Sequence, residues 1–201
     1  HTNRNRSKLQ PEYEILDTGV FDNNEYFDVN VSYAKQHATD IYIKIDITNR
    51  HTKTAPVTIL PTLWFYNRWV YTPDKPKPVI TLNTKNSVIA KHHRLGNYYF
   101  YFQTADAKLF TENETNYNKV DGSVNKTPFT KDAFHDAVIK GVNKSKLRNK
   151  KEGTKFSPVY ELNIKAGETK SIYCRLTDKP EGKPFINGFE NIFKIRKQEA
   201  D

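Results

Sequence analysis

The chain has 201 residues, 36% of them apolar, with 12 Tyr, 12 Phe and 2 Trp and a formal net charge of +9. That length allows one sizeable domain or two small ones, and the aromatic content can build a core from few, large side chains, which excludes a disordered chain. No run approaches the roughly 18 apolar residues of a membrane span, and HTNRNRSKLQ at the start carries no signal-like apolar segment, so a soluble chain without membrane partners is expected.

In chain order the expected elements are mostly strands, beginning with EYEILD. YFDVNVSYA then places Phe27, Val29, Val31 and Tyr33 inward and Asp28, Asn30 and Ser32 outward. DIYIKIDIT puts Ile41, Ile43, Ile45 and Ile47 on one face and Tyr42, Lys44, Asp46 and Thr48 on the other, which predicts an antiparallel pair with one wet face. TILPTLWFYNRW is harder to read. Val57, Ile59, Leu63 and Phe65 would share one face, yet Leu60, Trp64 and Tyr66 make the other face apolar too, and Pro61 marks an edge or bulge where a missing N–H costs little.

PVITLN, SVIAKH, YYFYFQT, KLFTE, PVYELNI and KSIYCRLT follow as strands, the last two joined by KAGE with Gly167 in a positive-φ turn. His92 and His93 would point to opposite sides of an extended SVIAKHH, so no metal site is expected there. Cys174 alternates with Ile172 and Leu176, which predicts a small buried hydrophobe and not a nucleophile. A lone cysteine excludes an internal disulfide and favours a reducing, cytoplasmic compartment.

Two segments have helical patterns. TKDAFHDAVIKG, with Thr130 as N-cap, Phe134 and Val138 four apart and Gly141 at the end, predicts a short helix inside an insertion over residues 105–156. NGFENIFKIRKQEAD offers a capping-box-like Asn187–Glu190 pair and a stripe of Phe189, Ile192, Phe193 and Arg196. Its pattern is still running at Asp201, so residues 187–201 are expected to start a linker helix to a further domain. The expected fold is mainly β: an antiparallel β-sandwich of supersandwich type over residues 1–186.

The charge is concentrated. Residues 140–155 hold seven basic side chains against the acidic Glu152, a local balance of +6. With no aromatic before Phe156 this reads as a solvated, mobile loop, a polyanion contact being the alternative, and it argues against a nucleic-acid groove. No nucleophile elbow or phosphate-cradling glycine loop occurs, and no cofactor is expected. One polar cluster stands out in LFTENETN and TPFTKDAFHD: Glu112, Asn113, Glu114, Asn116, Lys131, Asp132 and His135. Such a mixture suits hydroxyl-rich ligands or a partner surface, and turn and cap chemistry is the competing reading.

PEYEILDTGVFD, EYFDVNVSYAK, ILPTLWFYNRW, LFTENETN, KDAFHDAVI and the later GTK together resemble the β-sandwich region preceding the catalytic barrel in bacterial and fungal relatives of glycoside hydrolase family 63, the processing α-glucosidases. The resemblance runs from Pro11 to Asp201. It implies a downstream (α/α)6 barrel that carries the paired catalytic acids and inverts the anomeric configuration, with a carbohydrate substrate reached through that barrel. It also implies that Trp64, Tyr66 and Trp69 meet the barrel or a crossing loop, and that Glu112, Asn113, Asn116, Lys131, Asp132 and His135 line a pocket wall, none of them catalytic. A carbohydrate- or protein-binding module with no enzymatic parent is the alternative.

Overall fold

Period-two alternation sets the layers of the molecule. The computed structural model describes residues 1–185 and 188–201. The large sheet has seven antiparallel strands in the order β1 (Phe27–His37), β2 (Asp40–Asn49), β11 (Thr169–Thr177), β7 (Gly96–Phe102), β6 (Ser87–His92), β5 (Val79–Thr84) and β9 (Glu152–Gly153). The small sheet is built on β10 (Lys155–Ile164), with β8 (Ala107–Thr111) on one side and β3 (Ala55–Ile59) and β4 (Leu63–Trp64) on the other. The fold is thus mainly β, an antiparallel β-sandwich with short helices.

β3 and β4 are one edge strand cut in two. Ile59 pairs with Tyr160 and Leu63 with Phe156 in unchanged register, so Pro61 falls opposite Pro158, where neither ring nitrogen can donate. The Ser157 hydroxyl donates instead to the Pro61 carbonyl at 3.0 Å. Val57, Ile59, Leu63 and Phe65 face the core as their spacing requires.

That core is aromatic at its centre. Phe156 is fully buried and its ring lies 4.7 Å from Phe110, 5.4 Å from Phe102 and 6.3 Å from Phe100. Cys174 is buried beside them, as expected, and burial pushes its thiol up to about 12.

Both outer faces are covered in part. Three short helices, α1 (Tyr117–Val120), α2 (Ala133–Ile139) and α3 (Lys144–Asn149), lie between β8 and β9, and Phe134, Ala137 and Leu147 pack on Ala107, Leu109 and Val159 of the small sheet with Leu60 beside them. The basic segment is therefore not simply a solvated loop: Leu147 is fully buried and anchors α3, while Lys144 and Arg148 pair with Glu161. The chain between Lys140 and Lys155 was legible as charge, but one leucine decides its conformation.

On the other side α4 (Phe189–Ala200) lies across the large sheet. Phe189 stands 4.8 Å from the ring of Tyr42 and 4.9 Å from that of Tyr173, with Ile192 and Phe193 packed alongside. Glu190 accepts a 2.6 Å bond from the Tyr173 hydroxyl and a bond from Lys44. The face of β2 expected to be wet is thus dry at Tyr42. The Asn187 end of the expected capping box lies outside the described residues.

Two further expectations are corrected. EYEILD forms a 3-10 turn at Ile15–Thr18 and not a strand, because Glu14 and Asp17 cap one another's backbone and Gly19 closes the turn at φ 68°. Val29, Val31 and Tyr33 remain 50%, 42% and 69% exposed. They sit on the core-facing side, opposite Ile47, Ile45 and Ile43, but β1 is the edge of a seven-stranded sheet and overhangs the smaller sheet beneath. No described helix is long and apolar enough to cross a membrane.

The two sheets are joined where β9 runs into β10. A Cβ on Gly153 would lie 2.4 Å from the Thr111 carbonyl oxygen, so only glycine fits this crossing. Phe156→Ala is expected to lower the unfolding free energy by about 3–5 kcal/mol. Gly153→Ala should lower it by about 1–3 kcal/mol through overpacking. Denaturant midpoints read both, and an unchanged midpoint would contradict the packing described.

Candidate functional site

The polar cluster grows from the end of β8. The Glu112 N–H donates to the Phe129 carbonyl and the Lys131 N–H to the Glu114 carbonyl, so residues 112–114 and 129–131 form the stem of the helical excursion. Thr154, next to the crossing glycine, fastens this stem to the sheets. It is buried; its N–H donates to Thr111, its carbonyl accepts from Phe65, and its hydroxyl accepts from the Asn113 N–H at 2.7 Å and donates to the Glu112 carboxylate at 2.9 Å.

Lys77 organises the first half of the cluster. Its ammonium lies 2.9 Å from Glu112 and 2.8 Å from Glu114, and 5.3 Å from the centre of the Trp69 ring. The Trp69 indole N–H donates to the same Glu114 oxygen at 3.1 Å. Burial works against the charged Glu114, but the bonds from Lys77 and Trp69 outweigh it and hold the carboxyl below its ordinary range. The Asn113 side-chain amide donates to the Phe65 carbonyl at 2.9 Å.

Asp132 organises the second half. It accepts from the Asn116 amide at 3.0 Å, from the Thr130 hydroxyl at 2.7 Å and from Lys119 at 2.6 Å, and Lys119 also bonds Asp136. Burial again opposes the charge, and these donors hold the Asp132 carboxyl well below the usual carboxylate range. Thr130 therefore orients Asp132 in place of capping α2 itself, and Asp132 occupies the N-cap position.

The expected site residues thus divide. Trp69, Glu112 and Asn113 share one network; Asn116 and Asp132 share the next, joined to the first through the Glu114–Lys131 backbone bond. Lys131 contributes its carbonyl, which accepts from Lys155 at 2.7 Å, while its side chain and that of His135 are exposed. His135 lies in the first turn of α2, where its N–H donates to the carbonyl of the N-cap Asp132 at 3.0 Å.

Beside the Asn113-held carbonyl of Phe65, Trp64 and Tyr66 stand out at 57% and 79% exposure. The insertion covers Leu60 but not these two rings. Behind them, Phe65 lies 5.6 Å from His92, which stacks on His93 at 4.5 Å. The two imidazoles do not diverge as expected: β6 ends at His92, and the following turn brings His93 back over its neighbour while His92 Nδ1 accepts from the Arg94 N–H at 3.1 Å. Among the described residues no group of three or more His, Cys, Asp or Glu is placed to hold a metal ion.

Lys77, Lys119 and Thr154 were not legible as members of the site. Lys77 follows Pro76 in a lysine- and proline-rich stretch, and nothing in that spacing signals the two glutamates that it bridges. No protein-family model matches the chain. A search of curated proteins likewise returned no significant match.

Because the folded-state Glu114 carboxyl is depressed, its contribution to stability is complete above the unfolded value near 4.5 and is lost as the pH falls through the folded value. Lys77→Met should raise the Glu114 pKa in an NMR titration and move acid unfolding to higher pH. At neutral pH it should cost about 1–3 kcal/mol, since two part-buried carboxylates lose their shared donor.

Proposed function

We propose that this chain is the non-catalytic sandwich domain of a glycosidase similar to the family 63 processing α-glucosidases, forming one wall of a sugar pocket completed by a following helical domain. The observation that carries this reading is the juxtaposition of exposed Trp64 and Tyr66 with the Lys77–Glu112–Glu114–Trp69 network. Sugars are held by an aromatic platform and a few directed hydrogen bonds, and the network gives the platform a rigid frame. Exposed rings on a framed loop also suit a surface awaiting a partner domain.

The electrostatics favour a wall over a reaction centre. A glycosidase acid needs a raised pKa, with its partner base about 6.5–9.5 Å away in an inverting site. Glu114 and Asp132 are shifted the opposite way, which suits fixed anions and not proton donors.

The test is to express the complete gene product and the 201-residue chain separately and assay both against aryl α-glucosides. Turnover is expected in the complete product and none in the chain alone. In the complete product Trp64→Ala should lower kcat/KM about tenfold, roughly 1.4 kcal/mol of lost transition-state binding, with circular dichroism unchanged. A complete product without glycosidase activity sinks the reading.

A further inference from the structure

The outer face of the large sheet carries a second built feature, separate from the loop cluster. Strand β7 turns Tyr98, Phe100 and Phe102 to the core, so alternation sends Tyr99 and Tyr101 to the opposite face. Their rings lie 6.3 Å apart and within 16° of parallel, an aromatic floor along one strand, with Tyr99 the more open and Tyr101 the deeper. The β5–β6 hairpin forms one wall through Asn83, Asn86 and Ser87, and residues 180–185, crossing the sheet after β11, form the other. The hollow between them measures about 610 Å³, inside the range of about 300–1,000 Å³ typical of small-ligand sites.

Both walls are held in place. The Glu181 N–H donates to the Tyr101 hydroxyl oxygen at 2.6 Å, and Arg175 grips the Glu181 carboxylate at 3.0 Å while pairing with buried Asp40 through two bonds of 2.8 Å. On the hairpin, the Asn83 amide donates to Ser87 at 3.1 Å and the Asn86 amide to Thr104 at 3.3 Å. These bonds use the amide N–H groups. Among the described residues, the side-chain carbonyls of Asn83 and Asn86 and the Tyr99 hydroxyl make no hydrogen bond, so acceptors and a phenol are left around an aromatic floor. Arg175 shares its charge between Asp40 and Glu181, and Lys85 of the hairpin lines the hollow as well, so the lining carries charges of both signs.

A ligand matching this lining is neutral, has a flat apolar face and carries hydroxyls at its rim. The geometry points to a saccharide-binding site in which Tyr99, backed by Tyr101, stacks on a pyranose ring of a neutral oligosaccharide and Asn83 and Asn86 accept bonds from its hydroxyls. The site is independent of the pocket wall proposed above: it stands on a different face and needs no catalytic domain.

The experiment titrates the 201-residue chain with maltotriose, cellotriose, mannotriose and chitotriose in turn, followed by calorimetry and NMR. At least one should bind and perturb the resonances of Tyr99, Asn83 and Asn86. Tyr99→Ala should weaken that binding about tenfold or more, and the rim variant Asn83→Ala should weaken it without disturbing the fold. Absence of binding by all four sugars overturns the inference, and so does binding that survives both Tyr99→Ala and Asn83→Ala. Hydrolysis by the complete gene product decides the earlier proposal separately, so the two can fail independently.

Discussion

The architecture depends on one close approach, the passage of Gly153 against the Thr111 carbonyl where the chain leaves the large sheet for the small one. A side chain at this point would separate β9 from the end of β8. Because it is absent, the next residue can reach Thr111, Phe65, Glu112 and Asn113 at once. The hydroxyl of Thr154 is satisfied twice while fully enclosed, which a buried polar group requires if it is not to cost stability. The strand edge bearing Trp64 and Tyr66 and the stem of the helical excursion are therefore positioned by the same two residues.

From that crossing outward, the molecule is a series of faces needing cover. The sheets cover each other around Phe156. The helical excursion covers the small sheet through Phe134, Ala137 and Leu147, and α4 covers part of the large one through Phe189. Strand β1 overhangs because seven strands are laid over a narrower sheet, leaving Val29, Val31 and Tyr33 beyond the reach of β3 and β10. The Arg175–Asp40–Glu181 group ties residues 180–185 across the remaining outer face, so charges are buried there as a hydrogen-bonded set and not singly.

Charge follows a similar logic at the loop cluster. Glu112 and Glu114 would repel one another, and Lys77 sits between them; Asp132 and Asp136 share Lys119. Glu114 and Asp132 are held ionised and oriented, a state suited to framing a surface and not to giving up protons near neutral pH. Trp64 and Tyr66, left exposed beside this frame, are not accounted for by internal packing.

Local pattern alone determined most of the strands. Period-two alternation identified β2, β5 to β8, β10 and β11, the interruption at Pro61, the turn at Gly167 and the burial of Cys174, because each depends on side-chain direction or on one residue's own backbone freedom. The cluster of Glu112, Asn113, Asn116 and Asp132 was legible because its members lie close along the chain. Tertiary structure decided what alternation cannot encode: that Val29 and Tyr33 overhang, that Tyr42 is dry, that Leu147 turns a basic run into a helix, and that Lys77 reaches two glutamates from a distant loop. Alternation assigns a residue to a face. Only the width of the opposing layer, and the chain segments folded over it, determine whether that face meets protein or water.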